Sequence, residues 1–102
     1  MPYLITCIDK PNSLEKRLAT RDEHIKYLEK FKNKIITAGP LIDKDGNPYG
    51  SLLILNFDEN NEVNSFLRDD PYSKKKLFKQ VIIKEFKKVF FLLKKQNYIM
   101  IS

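Results

Sequence analysis

This chain of 102 residues has few of the residues from which metal sites, disulfides and phosphate-binding loops are built. It contains one histidine, one cysteine, three glycines and no tryptophan. A single histidine and a single cysteine exclude a histidine-rich metal site and an internal disulfide framework. Gly-x-Gly-x-x-Gly and phosphate-loop motifs are also absent, so we expect neither a metal nor a cofactor.

Long apolar runs are missing as well. No stretch approaches the roughly 20 apolar residues that a helix needs to cross a bilayer, and the first residues lack the basic segment and cleavage site of a signal peptide. The hydrophobic content of 42% nevertheless suits a folded core, and the length suits one domain. With Cys7 unpaired, we expect one domain in the reducing cytoplasm, without a membrane partner.

Positive charge is concentrated in one segment. Residues 74–95 hold nine lysines against Glu85, whereas the rest of the chain has a small negative net charge. A basic segment can contact nucleic acid or an anionic surface. The alternative is an edge strand that its lysines guard against aggregation. We favour the edge strand, because no nucleic-acid-binding motif accompanies the lysines.

The spacing of apolar residues predicts the element order β-α-β-β-α-β. Strands are expected over residues 2–9, 34–40, 51–57 and 81–90, and helices over residues 14–33 and 60–69. Ser73 is expected to cap one further helical turn through Leu77. With right-handed crossovers, this order gives an α+β fold, a four-stranded antiparallel sheet with both helices on one face. The uncovered face of such a sheet predicts a homodimer.

The first helix carries one unusual residue. Its expected apolar stripe consists of Leu14, Leu18, Ile25 and Leu28. Arg21 falls inside this stripe, and His24 lies on its flank. A buried guanidinium needs an anionic or carbonyl partner, so Arg21 could pair with Asp70 or with an anionic ligand. The alternative is that Arg21 lies along apolar surface with its charged end in water.

His24 and Asp70 are the candidates for proton-transfer chemistry. Histidine titrates near neutral pH, and a carboxylate can orient it as a general base or acid. Each residue also has an ordinary explanation, since a histidine on a helix flank is often half-buried and aspartate before proline commonly starts a turn. Tyr72 could equally pack in the core or present its hydroxyl to a pocket. The test is whether His24 and Asp70 face one cleft.

The chain resembles the YciI-like, or YCII-related, family through five short motifs. In chain order they are Arg21-x-x-His24, Ala38-Gly39-Pro40, Gly46-x-Pro48-x-Gly50-Ser51, Asp70-Pro71-Tyr72 and Phe86-Lys87-Lys88-Val89-Phe90. The resemblance implies a ferredoxin-like fold that dimerises into an α+β barrel, with the domain over residues 1–90. Residues 91–102 depart from the family's usual ending and form a tail that could extend the strand, cross to a partner or lie loose.

The resemblance also implies an active site. The family's catalytic His and Asp correspond to His24 and Asp70, and its pocket is bordered by a Gly-Ser segment. The residues that we expect to bind substrate are Arg21, Gly50, Ser51, Pro71 and Tyr72. One characterised branch of the family acts in dehydrochlorination during chloroaromatic breakdown, and the wider barrel group includes lactone isomerases. Both reactions move a proton at a carbon next to an electron-withdrawing group.

Two functions remain open from the sequence. The first is a cofactor-free enzyme of lyase or isomerase type that uses the His–Asp pair on a small metabolite. The second is a homodimer that binds a small molecule or has a structural role, without turnover. Nucleic-acid binding through the basic segment ranks third, and the sequence does not identify the substrate.

Overall fold

The computed structural model describes residues 2–92 and 98–100. The elements in chain order are β1 (Tyr3–Asp9), α1 (Leu14–Glu29), β2 (Ile35–Ile42), β3 (Pro48–Leu55), α2 (Asn60–Asp69), α3 (Pro71–Lys74), β4 (Phe78–Glu85), β5 (Phe90–Leu92) and β6 (Tyr98–Met100). Across the described residues, no helix is long and apolar enough to span a membrane.

Four strands form one antiparallel sheet in the order β2-β3-β1-β4. β1 lies in the interior of the sheet, where Cys7 is opposite Ser51 on β3 and opposite Val81 on β4. Together with α1 and α2, this order is the predicted ferredoxin-like α+β fold, which is therefore confirmed. β4 lies at an edge of the sheet and exposes Lys79 and Lys84, as the edge-strand interpretation of the basic segment requires.

Both helices cover the same face of the sheet. Ile5, Leu53 and Leu55 alternate with outward residues along their strands and are 0–2% exposed. They form one core with Val63 and Phe66 of α2, and α1 packs further aromatic and aliphatic side chains against it. Among the described residues, no helix covers the other face of the sheet. That face carries the half-exposed side chains of Leu4, Ile8, Leu52, Ile54 and Ile82.

Several boundaries differ from those that the sequence predicts. α1 ends at Glu29 and turns occupy the next residues, rather than continuing to residue 33. The last strand of the sheet spans Phe78–Glu85 rather than 81–90, because it pairs with β1 and its register ends where β1 begins, at Tyr3. β3 likewise begins three residues earlier than expected, at Pro48.

The short turn after α2 is capped by a different residue from the one predicted. Asp70, not Ser73, is the N-cap, and its side chain accepts a hydrogen bond from the backbone N–H of Tyr72. Proline is favoured at the first helical position because its missing N–H is not needed there, so Asp70-Pro71 begins α3. Lys76 then adopts a left-handed conformation with φ of 58°, which ends the turn before β4.

Part of the predicted tail pairs with itself. Phe90 is opposite Met100, so that β5 and β6 form a two-stranded sheet separate from the main one. Residues 93–97 and 101–102 of the predicted tail lie outside the described residues.

Candidate active site

His24 and Asp70 meet where α1 crosses the junction of α2 and α3. His24 Nδ1 lies 2.8 Å from Asp70 Oδ1, and Asp70 is only 1% exposed. The same oxygen accepts a hydrogen bond of 2.9 Å from the backbone N–H of Tyr72. The predicted contact between these two side chains, which are 46 positions apart, is therefore confirmed.

The hydrogen bond to Asp70 determines which ring nitrogen of His24 is available to accept a proton. A carboxylate can only accept hydrogen bonds, so Nδ1 of His24 donates to Asp70 and carries the ring proton. Nε2 then holds the free lone pair of the neutral ring. His24 lines a cavity, and in the described part of the chain no buried side-chain nitrogen or oxygen lacks a partner. Nε2, which has no hydrogen-bond partner among those residues, is therefore exposed to that cavity.

The ring of Tyr72 holds the imidazole in place. The two rings stack with their centroids 4.0 Å apart and an angle of 16° between their planes. Burial is the largest cause that raises the pKa of the Tyr72 hydroxyl above its ordinary value of 10.0, whereas Arg17 lowers it. The hydroxyl therefore stays protonated near neutral pH and is available to the site as a hydrogen-bond donor.

Arg17 is the site residue that the sequence analysis did not assign. Its side chain is buried and donates to Asp9 twice, with Nε at 2.6 Å and Nη2 at 2.9 Å from the carboxylate oxygens. Nη2 also donates to the hydroxyl of Ser51 at 2.8 Å. The guanidinium carbon lies 4.6 Å from the centre of the Tyr72 ring. The available signal was spacing, because Arg17 precedes His24 by seven residues and so lies on the same helix face.

Arg21 does not pair with Asp70. It is exposed, and the carboxylate that it was expected to meet is bonded to His24 and to the Tyr72 backbone instead. Its guanidinium nevertheless lowers the pKa of the Tyr72 hydroxyl electrostatically, less than Arg17 does. Arg21 also lines the cavity. The other predicted partner of Arg21, an anionic ligand, therefore stays a prediction.

The cavity lies between α1 and β2 and has a volume of about 210 Å³. A cavity of about 150 Å³ is enough to hold a benzene ring. Its polar groups come from α1 and from Tyr72, and most of the remaining wall is apolar. The lining residues are Arg17, Leu18, Arg21, His24, Ile25, Leu28, Ala38, Gly39, Pro40, Pro48 and Tyr72.

Within the predicted apolar stripe of α1, Leu28 packs against the core, but Leu14 and Leu18 turn away from it. Leu14 is 37% exposed and Leu18 55% exposed, while the buried residues of the helix are Arg17, Thr20 and His24. The helix is rotated so that Arg17 meets Asp9 and Ser51 of the sheet, while His24 meets Asp70 at the junction of α2 and α3. Much of the predicted stripe forms the wall of the cavity instead.

Three residues expected to bind substrate lie away from the described wall of this cavity. Gly50 is buried against β1, where a Cβ atom would fall 2.3 Å from the carbonyl oxygen of Cys7. The hydroxyl of Ser51 accepts a hydrogen bond from Arg17. Pro71 begins α3 and borders a different groove. Of that expected set, Arg21 and Tyr72 line the cavity.

Cys7 is buried in β1, opposite Ser51 of β3. Burial is the main cause that raises the pKa of its thiol to about 12, and Asp70 raises it further. The thiol is therefore protonated and unreactive near neutral pH. The described residues gather no group of three His, Cys, Asp or Glu side chains suited to a metal ion.

Comparison with known proteins identifies relatives along most of the chain. The profile of the YCII-related domain matches residues 1–87. An uncharacterized protein of Haemophilus influenzae is 40% identical over 99 residues, which cover 88% of this chain and 100% of that protein. Protein YciI of Escherichia coli is 35% identical over 98 residues, with the same coverage of each chain.

Among solved structures, the chain is similar to the 5-chloro-2-hydroxyhydroquinone dehydrochlorinase TftG of Burkholderia phenoliruptrix, in complex with 2,5-dihydroxybenzoquinone. The TM-score is 0.81 at 35% sequence identity, covering 86% of this chain and 95% of that one. Protein Atu4242 of Agrobacterium tumefaciens has a TM-score of 0.53 at 17% identity, over 86% of this chain and 93% of that one. The second similarity concerns the fold alone.

Proposed function

This chain belongs to the YCII-related family, and we propose that it is an enzyme that transfers a proton on a small ring-shaped substrate bound beside His24. The observation that carries the proposal is the hydrogen bond of 2.8 Å between His24 and the buried Asp70, with the opposite ring nitrogen exposed to a cavity. This is the arrangement of a general base whose orientation is fixed before the substrate binds.

In the proposed step, His24 Nε2 accepts a proton from the substrate. The imidazole becomes a cation, and the Asp70 carboxylate stabilises this charge across the Nδ1–H hydrogen bond. The proton can then be returned at another atom, as in an isomerisation, or released to solvent. The Tyr72 ring limits rotation of the imidazole, and its hydroxyl can donate a hydrogen bond to a substrate oxygen.

Dehydrochlorination is the version of this chemistry that the similarity to TftG supports. The net reaction removes one proton and one chloride ion, and the chloride leaves with the electron pair of the carbon–chlorine bond. Each step of this kind needs a base but no redox partner. We therefore propose a lyase or isomerase of dehydrochlorinase-like type that acts without a cofactor.

The direct test is chloride release from 5-chloro-2-hydroxyhydroquinone by the full chain under anaerobic conditions. We expect the wild-type protein to accelerate release and His24→Gln to lose about 10²–10⁴-fold of that rate. Lys26→Gln, an exposed change on the same helix, is the matched control and should keep the wild-type rate. A wild-type rate equal to that of His24→Gln would reject the dehydrochlorinase assignment, and tight ligand binding without turnover would favour a non-catalytic binding protein.

A second test needs no substrate. Because His24 is the single histidine, its ring ¹⁵N resonances need no assignment. We expect the neutral ring to carry its proton on Nδ1 and Asp70→Asn to change the proportions of the two tautomers. A tautomer ratio typical of a free imidazole in the wild-type protein would argue against orientation by Asp70.

The assembly that we propose is a homodimer formed through the open face of the sheet. Two helices cover the other face, whereas this one presents five aliphatic side chains that no helix of the described residues covers. Light scattering after gel filtration should give twice the chain mass, and Leu52→Lys should give a monomer. A wild-type monomer at micromolar concentration would contradict this. The cytoplasmic location stays a prediction.

A further inference from the structure

A second groove runs along α1 beside the end of α2 and the start of α3. It has a volume of about 690 Å³, and among the described residues it shares no lining residue with the cavity beside His24. Tyr27 and Phe31 in its wall are half buried, whereas its charged side chains are exposed. The lining residues are Glu23, Lys26, Tyr27, Lys30, Phe31, Asp69, Pro71 and Lys74.

Positive charge exceeds negative charge along this groove. Asp69 forms an ion pair with Arg68, whose Nε lies 3.2 Å from its Oδ1, so the charge of Asp69 is already balanced. Glu23 is then the one carboxylate of the described lining that opposes the lysines. Those lysines come from both walls, and they are Lys26, Lys30 and Lys74.

The lysines of α1 lie on one side of the helix. With about 3.6 residues per turn, Lys16, Lys26 and Lys30 fall within about 80° of one another around the helix axis. Lys16 Nζ also donates a hydrogen bond of 3.1 Å to the carbonyl oxygen of Lys75, which joins the start of α1 to the end of α3. The row of lysines therefore follows the helix for about 21 Å. The other carboxylates of α1 fall on the far side of Lys26, and they are Glu15, Asp22 and Glu29.

A row of cations beside half-buried aromatic rings suits single-stranded nucleic acid. Lysines attract the phosphates of its backbone, and an aromatic ring gives an unpaired base a surface on which to stack. A duplex keeps its bases paired, and an acidic peptide has no bases, so each would use the lysines alone. A second copy of this chain, with its net charge of +6, and the segment of residues 91–102, which holds two lysines and no carboxylate side chain, both have the wrong charge.

We propose that the groove between α1 and α3 binds single-stranded nucleic acid, with Lys30 and Lys74 on its two walls contacting phosphates and Phe31 contacting a base. This differs from the nucleic-acid alternative drawn from the sequence, in which residues 74–95 formed the contact surface. Here the lysines of β4 keep their place at the edge of the sheet, and lysines of α1 take part instead. The proposal does not depend on the chemistry of His24.

Fluorescence anisotropy of labelled oligothymidylate and oligouridylate, each of about 12 nucleotides, measures this binding with the full chain. We expect Lys30→Gln combined with Lys74→Gln to weaken binding of both strands roughly 5- to 10-fold at about 50 mM salt. The logarithm of the binding constant should fall as the logarithm of the salt concentration rises. In the double variant this slope should be shallower by about 1.4, or about 0.7 for each lysine.

The matched control makes the same change in net charge outside the groove. It combines Lys79→Gln with Lys84→Gln, both exposed on β4, and should weaken binding by less than about twofold because distant exposed charges are screened. A second comparison uses Phe31→Leu, which keeps an apolar side chain but removes the ring. With a thermal midpoint that shows it folded, it should weaken binding of the single strands about threefold or more and leave that of a duplex of equal length unchanged.

Four results would each overturn the proposal. They are no binding of either single strand to the wild-type protein, equal losses in the two double variants, tighter binding of an oligoglutamate peptide of equal length than of the single strands, and a duplex affinity equal to that for the single strands. The first result excludes the site, and the second reduces the effect to net charge. The third assigns the groove to an acidic protein segment, and the fourth excludes a contact between Phe31 and an unpaired base.

Discussion

Two consecutive segments of the chain along α1 are buried in opposite ways. Between Arg17 and His24 the buried side chains are Arg17, Thr20 and His24, and each makes a hydrogen bond. Further along, Tyr27 and Phe31, which lies in the turn just after the helix, pack on Phe66 with ring centroids 5.2 and 5.0 Å from it. One helix therefore carries both a polar cluster and an aromatic core, divided along its length rather than around its circumference.

This difference separates the residues that position groups from those that stabilise the fold. Buried charged groups lose the favourable free energy of hydration, and well-placed partners only offset that loss. A polar cluster therefore adds little net stability. Packed aromatic rings contribute through the area that they remove from water, and they do not need one fixed orientation to do so. We expect substitutions in the polar cluster to change activity and binding, and those in the aromatic core to change stability.

The largest expected effect belongs to the polar cluster. Asp70→Asn keeps an oxygen that can accept the Tyr72 N–H but removes the charge that stabilises the protonated imidazole. Chloride release should fall about 10²–10⁴-fold, with a thermal midpoint near that of the wild-type protein. Asp69→Asn, at the exposed neighbouring residue, is the control and should keep its activity. More than a tenth of the wild-type rate in Asp70→Asn would contradict the role assigned to Asp70.

The corresponding change in the aromatic core should act on stability alone. Phe66 is 2% exposed, and Phe66→Ala leaves a cavity under α1 that should reduce the unfolding free energy by about 3–5 kcal/mol. Urea unfolding measures this, and Phe66→Leu should lose less. The affinity of the folded protein for 2,5-dihydroxybenzoquinone should not change. A tenfold change in that affinity would show that the aromatic core and the polar cluster are coupled.

A smaller effect is expected where the sheet supports the polar cluster. Gly50→Ala would place a methyl group against the carbonyl oxygen of Cys7, so β3 must shift away from β1 near Ser51. We expect a loss of about 1–3 kcal/mol in unfolding free energy, and weaker binding of 2,5-dihydroxybenzoquinone because Ser51 holds Arg17 in the cavity wall. Gly39→Ala meets no atom within 4 Å, so its unfolding free energy should change by less than about 1 kcal/mol. Equal stabilities for the two variants would disprove the steric argument.

The smallest effect is a decline of stability at alkaline pH, to which Cys7 on β1, opposite Ser51, and Tyr27 in the aromatic core contribute. Burial raises the pKa of Cys7 from 9.0 to about 12 and that of Tyr27 from 10.0 to about 12. The unfolded chain therefore loses these protons first, and the stability that the neutral groups contribute below pH 9 declines as the pH rises toward 12. Thermal midpoints should fall between pH 9 and 10, and fall less in Cys7→Ala. An identical slope in Cys7→Ala would contradict the pKa of the thiol.

The fold was more predictable than its details. The nearly unbroken apolar run of β3 indicates a strand, and the i, i+3, i+4 spacing of Val63, Phe66 and Leu67 in α2 indicates a helix with one buried side. The ends of β4 were wrong because a strand ends where its partner ends, and the partner is distant in sequence. The cap of α3 was assigned to Ser73, although Asp70 followed by proline carries the stronger local signal.

The site was predictable in part. His24 and Asp70 were paired through the family resemblance, and the hydrogen bond between them agrees. The prediction looked for an arginine that interrupts the apolar stripe of the helix. Arg21 does so and Arg17 does not, so Arg17 was missed. That criterion assumes that the stripe faces the core. In this helix it borders the cavity, so an arginine outside the stripe is the buried one.

The sequence by itself determined the order of elements, the α+β class and the two side chains suited to proton transfer, since these depend on local periodicity and residue chemistry. Only the tertiary structure decided the rotation of α1 and therefore which arginine meets Asp9 and Ser51. That rotation depends on the partners available on β1 and β3, and buried charges lie where such partners satisfy them. Because the sequence contains one histidine, His24 is its single imidazole. The fold shows that Asp70 and Tyr72 hold this ring in place.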